Sequence, residues 1–220
     1  MVSLYQFKQK KQIMCVIIKN KGIQIPYVDF LKMWRINPDG LGIASRKING
    51  DIWFQKYFIS NSQELKKWYD CVYLPTYLSN DYVDTVIHFR YATDGDICVK
   101  NIHPFKFKDS NGDWCYAFHN GVMDDKYRNY SISEKYITSD TANFVQDFLV
   151  AYRFNFSDEL PQETRDEITE EIASSKLVII SPSVVHTFNE ELGVVRNGNW
   201  FSNVRWDFNY RSSYQTQIRF

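Results

Sequence analysis

The chain has 220 residues, with 26 Lys plus Arg against 26 Asp plus Glu. That balance leaves no net charge and removes the electrostatic case for nucleic acid as the main partner. A hydrophobic share of 44% and a mean hydropathy of −0.42 describe a globular chain, long enough to bury a core without disulfides or metals. No apolar run approaches the roughly 18 residues that cross a bilayer. The opening MVSLYQFKQKKQI has three lysines and no apolar h-region, so neither a membrane location nor a secretory signal is expected. Cys15, Cys71, Cys98 and Cys115 form no CxxC pair, so no zinc site is expected and the thiols read as those of a cytoplasmic protein.

No repeat, low-complexity tract or linker divides the chain, which predicts one domain. Residues 15–20 (CVIIKN) predict a first strand, closed by the Asn20-Lys21-Gly22 turn. From Pro26 to Ile36 a leading Pro and the spacing of Val28, Leu31, Met33 and Trp34 predict a short helix. Asn37-Pro38-Asp39-Gly40 is a turn signal. Residues 41–47 and 51–58 predict a hairpin through Ile48-Asn49-Gly50. Residues 62–73 predict a helix with Leu65, Trp68, Tyr69 and Val72 on one face, and 85–92 and 114–122 predict strands. The longest helix is expected from Ser139-Asp140, either of which would cap it, to Tyr152. A more charged helix is expected over 160–175. Strands over 177–180, 184–188 and 194–201 complete the chain. Strands, then adjacent helices, then strands again predict an α+β fold in layers, with mainly antiparallel sheets.

Four segments carry possible chemistry. Cys15 follows Met14 and opens a strand. Exposed as an N-terminal residue, it would unite a thiol with an α-amine that titrates near about 7.7–8.0, a base suited to neutral pH. Alone, a buried strand cysteine is the commoner meaning. In His88-Phe-Arg-Tyr-Ala-Thr-Asp-Gly95, Arg90 can offer a two-pronged fork to a carboxylate, with a surface ion pair as the plain alternative. In His119-Asn120-Gly121, a side-chain amide and the next backbone N–H can form an oxyanion hole, although Asn-Gly more often marks a turn. Asp140, at a helix start, can accept from a ligand ammonium or simply cap the helix. No Cys–His arrangement is legible.

Taken in order, a strand Cys, H-x-R-x-A-T-x-G, H-N-G, and S-D-T opening a helix resemble the class II glutamine amidotransferase domain of the N-terminal nucleophile hydrolases. Asn101-Ile-His-Pro104 resembles the Asn-x-His-Pro segment of that family. The resemblance spans Cys15 to Trp206. Tyr91, Asp94 and Ala142 stand where the family often has Trp, His and Glu.

The resemblance implies a four-layer αββα sandwich over 15–206, a leader or propeptide over 1–14 and a tail over 207–220. It implies Cys15 as nucleophile, Asn120 and Gly121 as the oxyanion hole, Arg90 with Thr93 on the α-carboxylate of L-glutamine, and Asp140 on its α-ammonium. The implied activity is a glutaminase acting through a γ-glutamyl thioester without a cofactor. Its ammonia would pass to a separate synthase, because the match leaves no room for an acceptor domain. Two alternatives stand beside it. One is a γ-glutamyl amide hydrolase on the same scaffold. The other is an inactive binding protein, if Cys15 keeps its leader and its amine stays in a peptide bond.

Overall fold

The computed structural model describes residues 15–128, 137–157 and 159–207. The expected leader and residues 208–220 of the expected tail lie outside the described residues. Among these residues ten strands form two sheets, each antiparallel throughout. The first sheet runs β3-β2-β4-β1-β10-β9, with β1 Val16–Asn20, β2 Leu41–Lys47, β3 Ile52–Tyr57, β4 Tyr82–Phe89, β9 Val194–Arg196 and β10 Asn199–Phe201. The second runs β5-β6-β7-β8, with β5 Phe105–Lys108, β6 Trp114–Asn120, β7 Lys176–Ile180 and β8 Val185–Phe188.

Side-chain alternation builds the layers. Val16 and Ile18 of β1 pack outward with helix residues Phe30, Met33, Leu65 and Trp68. Ile17, between them, joins Tyr116, Phe118, Val178 and Ile180 in the core between the sheets. Cys115, Ala117, Leu177 and Ile179 face the other way, onto Phe144, Val145, Ile168 and Ile172. Three apolar cores therefore separate four layers, helices–sheet–sheet–helices. Strands buried on both faces read as continuous apolar runs, and this is why CVII and KLVII stand out in the sequence.

The helices are α1 Tyr27–Ile36, α2 Ser62–Trp68, α3 Leu74–Leu78, α4 Asp140–Phe144 and α5 Gln162–Ile172. The helix expected over 62–73 extends further: a π-helical turn, Tyr69–Tyr73, joins α2 to α3. Pro75 has no N–H and its ring clashes with the carbonyl four residues back. The widened turn before it lets the chain stay helical. The element from Ser139 is shorter than expected. It is α4 followed by a π-helical stretch, Val145–Val150, so the longest helical run among the described residues is 62–78. The single strand expected over 194–201 is a hairpin, β9 and β10, turned at Asn197 and Gly198, both at positive φ. The Phe-Lys-Phe-Lys alternation of β5 is an edge strand absent from the sequence reading.

Candidate active site

Cys15 sits just before β1, whose register pairs Val16 with Phe89 at the end of β4. The next step along each strand places Cys15 beside the Arg90–Tyr91 segment. The N–H of Tyr91 donates to the Cys15 Sγ at 3.2 Å, and the thiol donates to the Tyr91 carbonyl at 3.3 Å. Burial pushes the thiol up to about 11, against the opposing pull of the Tyr91 N–H and the Arg90 charge. The thiol is thus protonated at neutral pH and needs a base to react.

The Asn37–Gly40 turn brackets Arg90. Gly40 accepts from the Arg90 N–H at 2.8 Å, Asp39 N–H donates to the Arg90 carbonyl at 3.0 Å, and the Asp39 carboxylate accepts from Ala92 N–H at 2.8 Å. The Arg90 side chain is only 3% exposed. Its guanidinium donates to the carbonyls of Asp94 at 2.9 Å and Asp96 at 3.3 Å, and it has no ion pair among the described residues. A guanidinium buried against carbonyls alone keeps its charge and an unmet preference for an anion.

Asp140 opens α4 and is 5% exposed. Its carboxylate accepts from Met123 N–H at 3.1 Å and Thr141 N–H at 2.6 Å, and it too has no ion pair among the described residues. The Asp94 carboxylate accepts from Asp140 N–H at 2.9 Å, so Asp94 helps to seat the helix start. Asn101 ties the loop after Arg90 to that start. It donates to the Asp96 carbonyl at 2.9 Å and accepts from Ser139 N–H at 3.0 Å.

Asn120 ends β6 and links the two sheets. Its amide donates to the Cys15 carbonyl at 2.6 Å and to Ser202 Oγ at 2.5 Å, while its carbonyl oxygen is buried with no partner among the described residues. Asn203 supports the same Cys15 carbonyl at 2.7 Å. A Cβ on Gly121 would lie 1.9 Å from Ser175 Oγ and 2.9 Å from the Ser175 Cα, so this position excludes a side chain because of the start of β7.

Cys15, Arg90, Thr93, Gly121 and Asp140 line one cavity of about 20 Å³; Thr93 is exposed at its rim. Asn120 holds the backbone of Cys15 rather than lining the cavity. His103 and His119, which the sequence placed in motifs without a role of their own, also line it. His88 packs against His103 with ring centroids 4.0 Å apart and the planes tilted by 36°, and its Nε2–H donates to the His119 carbonyl at 3.1 Å. Burial pushes His88 down to about 3 and His119 down to about 4, with Asp140 opposing the latter shift; burial lowers His103 as well. All three imidazoles are neutral at pH 7. Their approach comes from stacking one sheet on the other, and no spacing in the sequence marks it. No group of three or more His, Cys, Asp or Glu suited to a metal ion occurs among the described residues, and no helix among them is long and apolar enough to cross a membrane.

No family model and no curated protein matches the chain. Among solved structures it is similar to glutamine phosphoribosylpyrophosphate amidotransferase from B. subtilis in complex with ADP and GMP, at 15% identity and TM-score 0.47 over 86% of this chain. It is similar to an allosteric regulatory enzyme of purine biosynthesis, at 17% identity and TM-score 0.48 over 85% of this chain. A predicted glutamine amidotransferase from Pseudomonas aeruginosa PA01 has 15% identity and TM-score 0.40, with 86% of this chain and 78% of that one covered. The chain spans about 41% of the length of each of the first two structures.

Proposed function

We propose that the protein is a glutamine amidohydrolase whose nucleophile is Cys15. One observation carries the reading: a buried guanidinium and a buried carboxylate, neither ion-paired within the described residues, line the same cavity as a thiol. Two unmatched opposite charges suit the zwitterionic head of an amino acid. Arg90 takes the α-carboxylate and Asp140 the α-ammonium, which leaves the side-chain amide for Cys15. At about 20 Å³ the cavity admits a water and no more. Glutamine therefore enters as the loop over Arg90 gives way and the guanidinium exchanges its carbonyl partners for the substrate carboxylate.

With the Cys15 α-amine free, that amine takes the thiol proton and Sγ attacks the γ-carboxamide carbon. The Gly121 N–H and the Asn120 amide stabilise the oxyanion, Asn120 by shifting one donor from the Cys15 carbonyl, which Asn203 continues to hold. Ammonia leaves with a proton from the amine, and water then releases glutamate from the thioester. The ammonia is then free for transfer to an acceptor. The clamp reads the glutamyl head and not the leaving amine, so a γ-glutamyl amide hydrolase is the second reading; comparing glutamine with bulkier γ-glutamyl amides separates the two. Steady-state kinetics test the clamp. Arg90→Lys and Asp140→Asn each raise KM for glutamine at least about tenfold, the loss of one charge-assisted contact. An unchanged KM in both removes these residues from the site.

A further inference from the structure

The His119 ring is 3% exposed and makes one hydrogen bond, from Nδ1 to Thr141 Oγ1 at 2.9 Å. Thr141 Oγ1 lies 3.2 Å from the Asp140 carboxylate. A hydroxyl has one proton, and a carboxylate only accepts. The Thr141 hydroxyl therefore donates to Asp140, the stronger acceptor, and receives the Nδ1–H of His119. This chain fixes the neutral imidazole with Nδ1 protonated and Nε2 bare. That Nε2 is buried with no partner among the described residues, as are both ring nitrogens of His103. Both rings line the cavity that holds Cys15. The Cys15 thiol makes its hydrogen bonds to Tyr91 and not to either imidazole, so a bridging molecule is needed to connect thiol and ring.

We propose that His119 Nε2, with His103 as second partner, holds the water that hydrolyses the γ-glutamyl thioester. The proposal rests on the glutaminase reading above and assigns the second half of that reaction to a residue outside the nucleophile. In the resting protein the cavity already admits one water beside these ring nitrogens. The water donates one hydrogen to Nε2 and directs a lone pair at the thioester carbonyl carbon. As the new C–O bond forms, that proton passes to Nε2, and Asp140, acting through Thr141, offsets the developing imidazolium charge. The C–S bond then breaks, the imidazolium returns the proton to the departing Cys15 sulfur, and glutamate leaves. Burial keeps the resting imidazole a bare acceptor throughout the neutral range, and the Asp140 charge opposes that shift and favours the ring once it takes the proton.

Two measurements on the mature protein test this. ¹⁵N NMR of the resting protein should show His119 as the Nδ1–H tautomer. Thr141→Val should lose that preference and Thr141→Ser should restore it. In acid-quenched turnover with glutamine, His119→Phe and Thr141→Val should accumulate a γ-glutamyl adduct on Cys15. At saturating glutamine, hydrolysis of the adduct should slow about 10²-fold or more, the usual scale of a positioned proton acceptor, and by more than its formation does. Hydroxylamine, which needs less activation than water, should discharge it. An Nε2–H tautomer in the native protein, or adduct hydrolysis at the native rate in both variants, would overturn the water assignment alone. If no form of the protein, native included, yields adduct or hydroxamate, the glutaminase reading falls and this one with it.

Discussion

Asn120 ties the Cys15 carbonyl and, in the proposed reaction, also binds the oxyanion; substitution can separate the two. Removing its amide strands little, because the Cys15 carbonyl keeps Asn203 and Ser202 Oγ keeps the Ile17 N–H at 2.8 Å. Asn120→Ala should therefore cost only about 1 kcal/mol in stability, while kcat falls about 10²–10³-fold. Equal, small effects in denaturant melts and in kcat would make Asn120 a structural tie. The neutral histidines give a second prediction. His88 and His119 have folded values near 3 and 4, below the ordinary 6.5. Between those values and about 6.5 the unfolded chain binds more protons than the folded one, so stability rises with pH and is lost as pH falls through this window. The loss is on the order of a few kcal/mol. Thermal melts should decline from pH 6.5 toward pH 4, and less steeply in His88→Gln. Parallel declines in both proteins would remove His88 as a cause.

At the scale of elements, the loop from Asp94 to Cys98 is held against the start of α4, and Gly95 is the point of closest approach. Its φ is +68°, and a Cβ there would lie 2.7 Å from the Ser139 backbone N and Cα. Gly95→Ala should destabilise the fold by about 1–3 kcal/mol and raise KM, because Arg90 draws its partners from this loop. Urea titration with glutamine kinetics checks this; unchanged values in both would mean the loop and the helix start are not coupled. The elements legible in the sequence were those with a local signature. The hairpin at 41–57 announced itself through Asn-Gly, and the doubly buried strands through their apolar runs. The strand expected over 194–201 hid a second Asn-Gly turn, at 197–198, which carried the same signal. β5 was hidden by its length of four residues, and the helix through Pro75 by a π-helical turn that single-residue propensity does not encode.

At the scale of the whole molecule, the four layers bring the ends of β1, β4 and β6 and the start of α4 to one place. Cys15, Arg90, Gly121 and Asp140 were legible as candidates because each sits in a short motif and the motifs follow one another in a telling order along the chain. The place of His103, His119, Ser202 and Asn203 beside the cysteine was not, because only the packing of one sheet on the other brings them there. The cavity supplies a thiol, a cation and an anion, but a thiol pushed up to about 11 has no base of its own within hydrogen-bond reach. The account therefore turns on the α-amine of Cys15. The deciding measurement is the intact mass of the protein from its own cell, taken with its rate of ammonia release from glutamine. The account predicts a mature chain that begins at Cys15 and turns over glutamine, with Cys15→Ala inactive and folded. A chain that begins at Met1 or Val2 and releases ammonia at the same rate would contradict it.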